Sequence, residues 1–178
     1  MGLKQLFFVA LSLLGLAAGL AAGAWISQKA RDPFLAGDYG NWEDWHLGVP
    51  ENGKGRLRYL PGDEEVMRAE YVAEVKEPWQ IQLSRKGFQF EANQRYRLSF
   101  RAKGDQARPI TLLCLEAQAP FQNLGLYQQI KLTDAWQEFH FEFPANKTDD
   151  NAVVCFNLGE SQIPLEVANV TLEKLPAP

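Results

Sequence analysis

The chain has 178 residues, with 18 basic and 22 acidic side chains and a formal net charge of -4. After an apolar N-terminal segment is set aside, about 150 residues remain, which is enough for one well-buried core but not for two. The charges are spread along the chain and form no basic stripe, so nucleic acid is excluded as an expected partner.

The first 26 residues are predicted to form a hydrophobic helix that acts as a signal peptide or a membrane anchor. No charged residue occurs from Leu6 to Ile26, and Lys4 precedes this run. The sequence Ala22-Gly23-Ala24 is typical of a signal-peptidase site and favours cleavage. The uncharged run also has about the 20 residues needed to cross a bilayer, so membrane anchoring through residues 6–26 is the alternative. Both readings predict an exported protein, either periplasmic, extracellular or on the cell surface.

Residues 27–37 are predicted to be a linker, and residues 38–175 a single all-β domain. The linker mixes charges, Pro33 and glycine, and it shows no apolar period. Beyond it, short apolar runs alternate with turn residues about every ten positions, which is typical of a two-sheet antiparallel β-sandwich such as a jelly roll. The predicted strands are Glu65 to Val75, Trp79 to Ser84, Arg95 to Ala102, Ile110 to Ala117, Leu124 to Leu132, Gln137 to Phe143, Ala152 to Leu158 and Leu165 to Leu172.

Alternation within these runs predicts which side chains face the core and which face away from it. The side chains expected to point inward include Tyr96, Leu98, Phe100, Ala102, Phe139, Phe141 and Phe143 from two strands, and Trp79, Ile81, Leu83, Leu113, Leu115, Ile130, Leu132, Val154, Phe156 and Leu158 from four others. The same rule turns amide, carboxylate and phenol groups outward. The candidate ligand-binding residues are Gln82, Glu116, Gln118, Tyr127, Gln129 and Asn157.

This set of outward side chains has the chemistry that sugar recognition needs. Amides and carboxylates pair with ring hydroxyls, and an aromatic ring covers the apolar C–H face of a pyranose. A solvated sheet face would have a similar composition, so that interpretation stays open.

The two cysteines, Cys114 and Cys155, lie inside apolar runs and not in a metal-binding pattern. Metal ligation is therefore not expected. Alternation places both on the outward face, where an oxidising compartment would allow a cross-strand disulfide. The alternative is a pair of buried free thiols.

No catalytic motif is present. The chain has two histidines and lacks the nucleophile elbow, the zinc-protease motif, the P-loop and the dinucleotide-binding fingerprint. The sequence therefore predicts a protein that is not an enzyme.

Five segments, taken in order, resemble the carbohydrate-binding modules of the family 4, 9 and 22 group. They are Pro78 to Leu83, Tyr96 to Lys103, Leu132 to Gln137, Phe156 to Gly159 and Val167 to Leu172. The resemblance implies a jelly roll with a glycan-binding cleft, with no cofactor. Ala168 stands where the group commonly has an Asp that serves a structural calcium, and this departure speaks against the ion.

The sequence thus predicts an exported, non-catalytic module that binds a polysaccharide or a surface glycan. The alternative is a cell-envelope protein-interaction module, or an accessory subunit of a glycoside hydrolase or a polysaccharide-export system.

Overall fold

The computed structural model describes residues 40–42, 45–62 and 65–176. The predicted N-terminal helix and the whole predicted linker, residues 27–37, lie outside these residues. Within the described part of the chain, no helix is long and apolar enough to cross a membrane. The described strands, in chain order, are β1 (Gly40–Trp42), β2 (Trp45–Gly48), β3 (Lys54–Leu60), β4 (Val66–Val72), β5 (Gln82–Phe90), β6 (Arg95–Gly104), β7 (Arg108–Leu115), β8 (Asn123–Leu132), β9 (Gln137–Pro144), β10 (Asp149–Asn157) and β11 (Leu165–Lys174).

These strands form two antiparallel sheets packed face to face. One sheet has six strands in the order β1-β2-β5-β10-β7-β8, and the other has five in the order β3-β4-β11-β6-β9. The predicted all-β antiparallel sandwich is therefore confirmed. All eight predicted strands are present, although β5 begins and ends later than expected.

Three strands, β1 to β3, were not predicted. The strand β3 begins at Lys54, directly after the turn residues Asn52 and Gly53. Its inward residues Gly55 and Leu57 are interrupted by Arg56 and Arg58, and the high charge of the run concealed its period of two.

The core between the sheets is rich in aromatic rings. Phe100 stacks on Phe139 with ring centroids 5.0 Å apart, and it meets Phe156 of the opposite sheet edge-on at 5.1 Å. The predicted inward residues of β6 and β9 all lie in this core or pack against it. Each fully buried Phe or Leu contributes about 1.5–3 kcal/mol by leaving water, which makes this layer the main source of stability.

The facing of β7 is the reverse of the prediction. Leu112 and Cys114 are fully buried in the core, whereas Leu113 and Leu115 lie on the outward face of the sheet. The error has a physical cause. From Ile110 to Leu115 the only polar residue is Thr111, on the outer side, and both sides of the strand are otherwise apolar, so the alternation is hidden.

The two cysteines consequently point to opposite faces, so the disulfide alternative is wrong and the alternative of two buried free thiols is confirmed. Cys155 pairs with Leu113 on the outward face, while Cys114 pairs with Val154 on the core side. Both are free thiols, and side chains that leave a sheet in opposite directions lack the geometry of a bridge. Burial raises the pKa of the Cys114 thiol to about 12 and raises that of Cys155 as well. Both thiols are therefore protonated and unreactive at neutral pH.

Trp79 was also predicted to point inward, and this is wrong. It lies in a short 3-10 turn, Pro78–Gln80, before β5 begins, and it is 58% exposed. A period of two applies only within a strand, and Trp79 precedes Gln82, the first residue of β5.

A buried arginine anchors the loop that joins β10 to β11. The Arg108 guanidinium is fully buried and donates to the backbone carbonyls of Leu158, at 2.8 Å, and Ile163. The Tyr71 hydroxyl lies 2.8 Å from the Leu158 carbonyl oxygen and 2.7 Å from that of Ser161. These contacts fix residues 158–164, which follow directly after Asn157.

Gly125 sets the approach of β8 to the opposite sheet. It has a φ of +122°, which side-chain-bearing residues rarely adopt, and a β-carbon there would collide with the carbonyl oxygen of Pro144. The glycine thereby fixes the path of β8 two residues before Tyr127.

Candidate functional site

The outward face of the six-stranded sheet contains most of the candidate residues, and we call it the amide face. Paired residues of antiparallel strands share a face, so the register defines rows of side chains that cross the strands. The first row is Gly48, Gln82, Asn157, Thr111 and Gln129, and the second is His46, Ser84, Cys155, Leu113 and Tyr127. A third, shorter row is Val153, Leu115 and Asn123.

Hydrogen bonds hold the first row in place. The Gln82 Nε2 donates to Asn157 Oδ1 at 2.9 Å, and the Thr111 hydroxyl donates to Glu160 Oε1 at 3.3 Å. Asn157 is only 8% exposed, whereas Gln129 is exposed at the end of the row. Because neighbouring strands lie about 4.8 Å apart, the row presents donors and acceptors at a spacing similar to the length of a pyranose unit.

An apolar strip, formed by Leu113, Leu115, Val153 and Cys155, runs beside this polar row. Leu113, Val153 and Cys155 are buried, although no strand in the described residues covers this face. Leu115 is partly exposed, so the strip is accessible to a ligand at this residue. Tyr127 pairs with Leu113 at the β8 end of the strip, and its ring is 58% exposed. The arrangement offers apolar contact and aromatic stacking next to directed hydrogen bonds.

The structure brings four of the six candidate residues to this face. Gln82, Tyr127, Gln129 and Asn157 lie in the first two rows, as alternation placed them. The sequence reasoning missed Thr111 and the apolar strip. The sequence did contain a signal for the strip. A strand that faces water on one side should alternate between apolar and polar residues, but the centres of β7 and β10 are apolar on both sides.

The other two candidates, Glu116 and Gln118, lie beyond the end of β7 in a separate cavity that we call the loop pocket. It has a volume of about 620 Å³ and lies between the β7–β8 and β9–β10 loops. Its lining consists of Glu116, Ala117, Gln118, Ala119, Pro120, Lys147, Thr148, Asp149, Asp150 and Asn151.

An ion pair joins the two loops of this pocket. The Glu116 carboxylate accepts from the Lys147 ammonium and, at 3.3 Å, from the backbone N–H of Gln122. These bonds, with Lys147 the stronger, lower the pKa of Glu116. No group of three or more His, Cys, Asp or Glu side chains in the described part of the chain is arranged to hold a metal ion.

Comparison with known proteins places the chain in a family. A family model described as a carbohydrate-binding domain of the 4 and 9 group matches residues 34–164. No curated protein matches the sequence. Among solved structures, a family 4 carbohydrate-binding module is 24% identical with a TM-score of 0.65, covering 81% of this chain and 96% of its own.

Two further structures share the fold. The N-terminal cellulose-binding domain of Cellulomonas fimi β-1,4-glucanase C is 17% identical with a TM-score of 0.55, covering 82% of this chain and 99% of its own. A family 22 xylan-binding domain from Paenibacillus barcinonensis is 9% identical with a TM-score of 0.54, covering 82% of this chain and 94% of its own. At these identities the similarity shows the jelly-roll fold alone. The family model, however, spans most of the chain, and the chain therefore belongs to the carbohydrate-binding domain family 4/9, whose members bind carbohydrate without catalysis.

Proposed function

We propose that the amide face binds a neutral polysaccharide chain that lies across the strands. The observation that carries this proposal is the exposed ring of Tyr127, with the partly exposed Leu115 of the apolar strip, beside the row from Gln82 to Gln129. A sugar chain has the complementary pattern, because each pyranose presents apolar C–H faces and a rim of hydroxyls.

The charge of the amide face supports a neutral ligand. None of the residues in its three rows is Lys, Arg, Asp or Glu, and the Glu160 carboxylate, which contacts the first row, accepts a hydrogen bond from Thr111. Amides and hydroxyls donate and accept without the desolvation cost of an ion, and sugar hydroxyls match them. Two of the structural neighbours bind cellulose and xylan by their names, so a β-linked glucan or xylan is the ligand class that we propose here.

Polysaccharides of this class lie outside the cell, and the apolar segment at residues 6–26 has the composition of an export signal. We therefore include export in the proposal.

The test is the affinity of the chain for cellohexaose and xylohexaose, measured by calorimetry. Tyr127→Ala removes an exposed ring, so the affinity for the bound sugar should fall about tenfold, which corresponds to about 1.4 kcal/mol. The melting temperature should stay unchanged, because the ring is 58% exposed.

The matched control is Val72→Ala, which removes an exposed apolar side chain from the five-stranded sheet and should leave the affinity unchanged. Equal loss in both variants, or no binding of either sugar by the unmodified chain, would overturn the proposal.

A further inference from the structure

The loop pocket adjoins the amide face, and residues of two neighbouring strands or their ends belong to both or lie next to both. Ala117 packs against the apolar strip and also lines the pocket. On the neighbouring strand, Val153 belongs to the strip, and Asn151, two residues earlier on β10, lines the pocket. The pocket therefore opens beside the third row, next to the path of a sugar chain that crosses the strands.

The size and lining of the pocket fit a small polar ligand. Its volume of about 620 Å³ lies within the usual range of about 300–1,000 Å³ for small-molecule sites, which is ample for one sugar unit. Gln118, Thr148 and Asn151 supply amide and hydroxyl groups, while Ala119 and Pro120 supply apolar contact. This is the same pairing of chemistries that the amide face presents.

The charge of the pocket selects among sugars. Glu116 is paired with Lys147, so Asp149 and Asp150 leave the lining net negative. The Asp149 carboxylate also accepts the backbone N–H of Asn151 at 2.8 Å, which holds it at the pocket wall. A uronic acid would place a further carboxylate beside Asp149 and Asp150 and would be repelled.

We propose that the loop pocket binds a neutral monosaccharide branch of the polysaccharide whose main chain lies on the amide face. The inference rests on the proposed function and deepens it. The amide face recognises the main chain, and the loop pocket recognises a substituent that leaves the chain along the strand direction. Uronic acid branches are excluded by charge.

The experiment compares three oligosaccharides with the same β-1,4-xylohexaose backbone in calorimetric titrations of the full chain. One is bare, one carries a single arabinose branch, and one carries a single glucuronic acid branch. We expect the arabinose branch to raise the affinity about tenfold over the bare compound, and the glucuronic acid branch to give no gain.

A double variant, Gln118→Ala with Asn151→Ala, should abolish the gain from the arabinose branch and leave the affinity for the bare compound unchanged. The matched control is Gln106→Ala with Asn52→Ala, which changes an exposed glutamine and an exposed asparagine in turns outside the pocket. This control should retain the gain.

The outcomes separate the two proposals. Equal affinity for the bare and arabinose compounds, a gain that survives the Gln118 and Asn151 changes, or an equal gain from glucuronic acid would overturn the branch pocket while main-chain binding stands. Failure of all three compounds, together with failure of cellohexaose, would overturn the proposed function itself.

Discussion

The amide face and the outward face of the five-stranded sheet are built by the same alternation, but they differ in chemistry. The second face, which we call the charged face, is covered by ion pairs. Arg68 contacts Glu70 at 2.9 Å, Asp105 at 2.6 Å and Glu166 at 2.9 Å, and Lys103 also reaches Glu166, at 3.0 Å.

The same pattern continues across the other strands of the charged face. The Glu142 carboxylate of β9 forms ion pairs with two arginines of β6, Arg97 at 2.5 Å and Arg95 at 2.6 Å. The guanidinium of Arg101 and the ammonium of Lys103 lie 5.1 and 5.2 Å from the ring centroid of Trp136. These charges have partners within the protein.

If the amide face is the binding face, the difference shows how one sandwich keeps a charged face and a binding face apart. A sugar hydroxyl that approached the charged face would have to displace charge-assisted hydrogen bonds, which are roughly twice as strong as neutral ones. On the amide face it meets neutral groups and an apolar strip. Polar residues on an outward sheet face therefore indicate a binding site only when they are not already joined to one another in ion pairs.

The largest expected effect comes from making the amide face resemble the charged face. Leu113→Glu puts a carboxylate into the buried apolar strip, so stability should fall by about 2 kcal/mol and sugar binding should be lost. Urea unfolding and calorimetry measure the two effects. Val72→Glu adds the same group at an exposed site of the charged face and should change neither. Retained binding in Leu113→Glu would show that the strip is not part of the site.

A smaller effect on stability is expected from removing one arginine of the charged face, and this effect depends on pH. Arg68 lowers the pKa of Asp105, and together with Arg58 it lowers that of Glu70 even though burial opposes the shift. A carboxyl group whose pKa is lower when folded stabilises the protein above its unfolded pKa, about 4, and this contribution is lost as the pH falls through the folded pKa.

Arg68→Met should therefore lower stability by about 1 kcal/mol at pH 7, and it should show a weaker loss of stability than the unmodified chain between about pH 4 and pH 2. Urea midpoints at pH 7, 4 and 3 test this expectation. Sugar affinity at pH 7 should be unchanged, and a large fall in affinity would contradict the separation of the two faces.

The smallest effect concerns the far end of the first row. A β-carbon on Gly48 would lie 3.8 Å from His46 Nε2 and 3.9 Å from the Gln82 carbonyl oxygen, so the strand tolerates a side chain there. Gly48→Leu should cover the end of the row and weaken binding about threefold if the sugar chain spans β2. Unchanged affinity for cellohexaose would show that the ligand ends at β5.

Sequence alone was sufficient where one side of a strand is polar. Leu98 and Phe100 of β6 alternate with Arg97 and Ser99, and their facing is as predicted. Tyr127 and Gln129 are outward as predicted, because Ile130 and Leu132 lie on the core side of β8. The all-β fold follows from the same period of two.

Tertiary structure decided the facing of β7 and, with it, the apolar strip and the state of Cys114. A strand that is apolar on both sides has no period of two to read, so only the register with β8 and β10 shows that Leu113 faces outward. The separation of Glu116 and Gln118 into the loop pocket has a related cause. Both follow the last residue of β7, and the path of a loop depends on contacts such as the ion pair with Lys147, which joins residues distant in the chain.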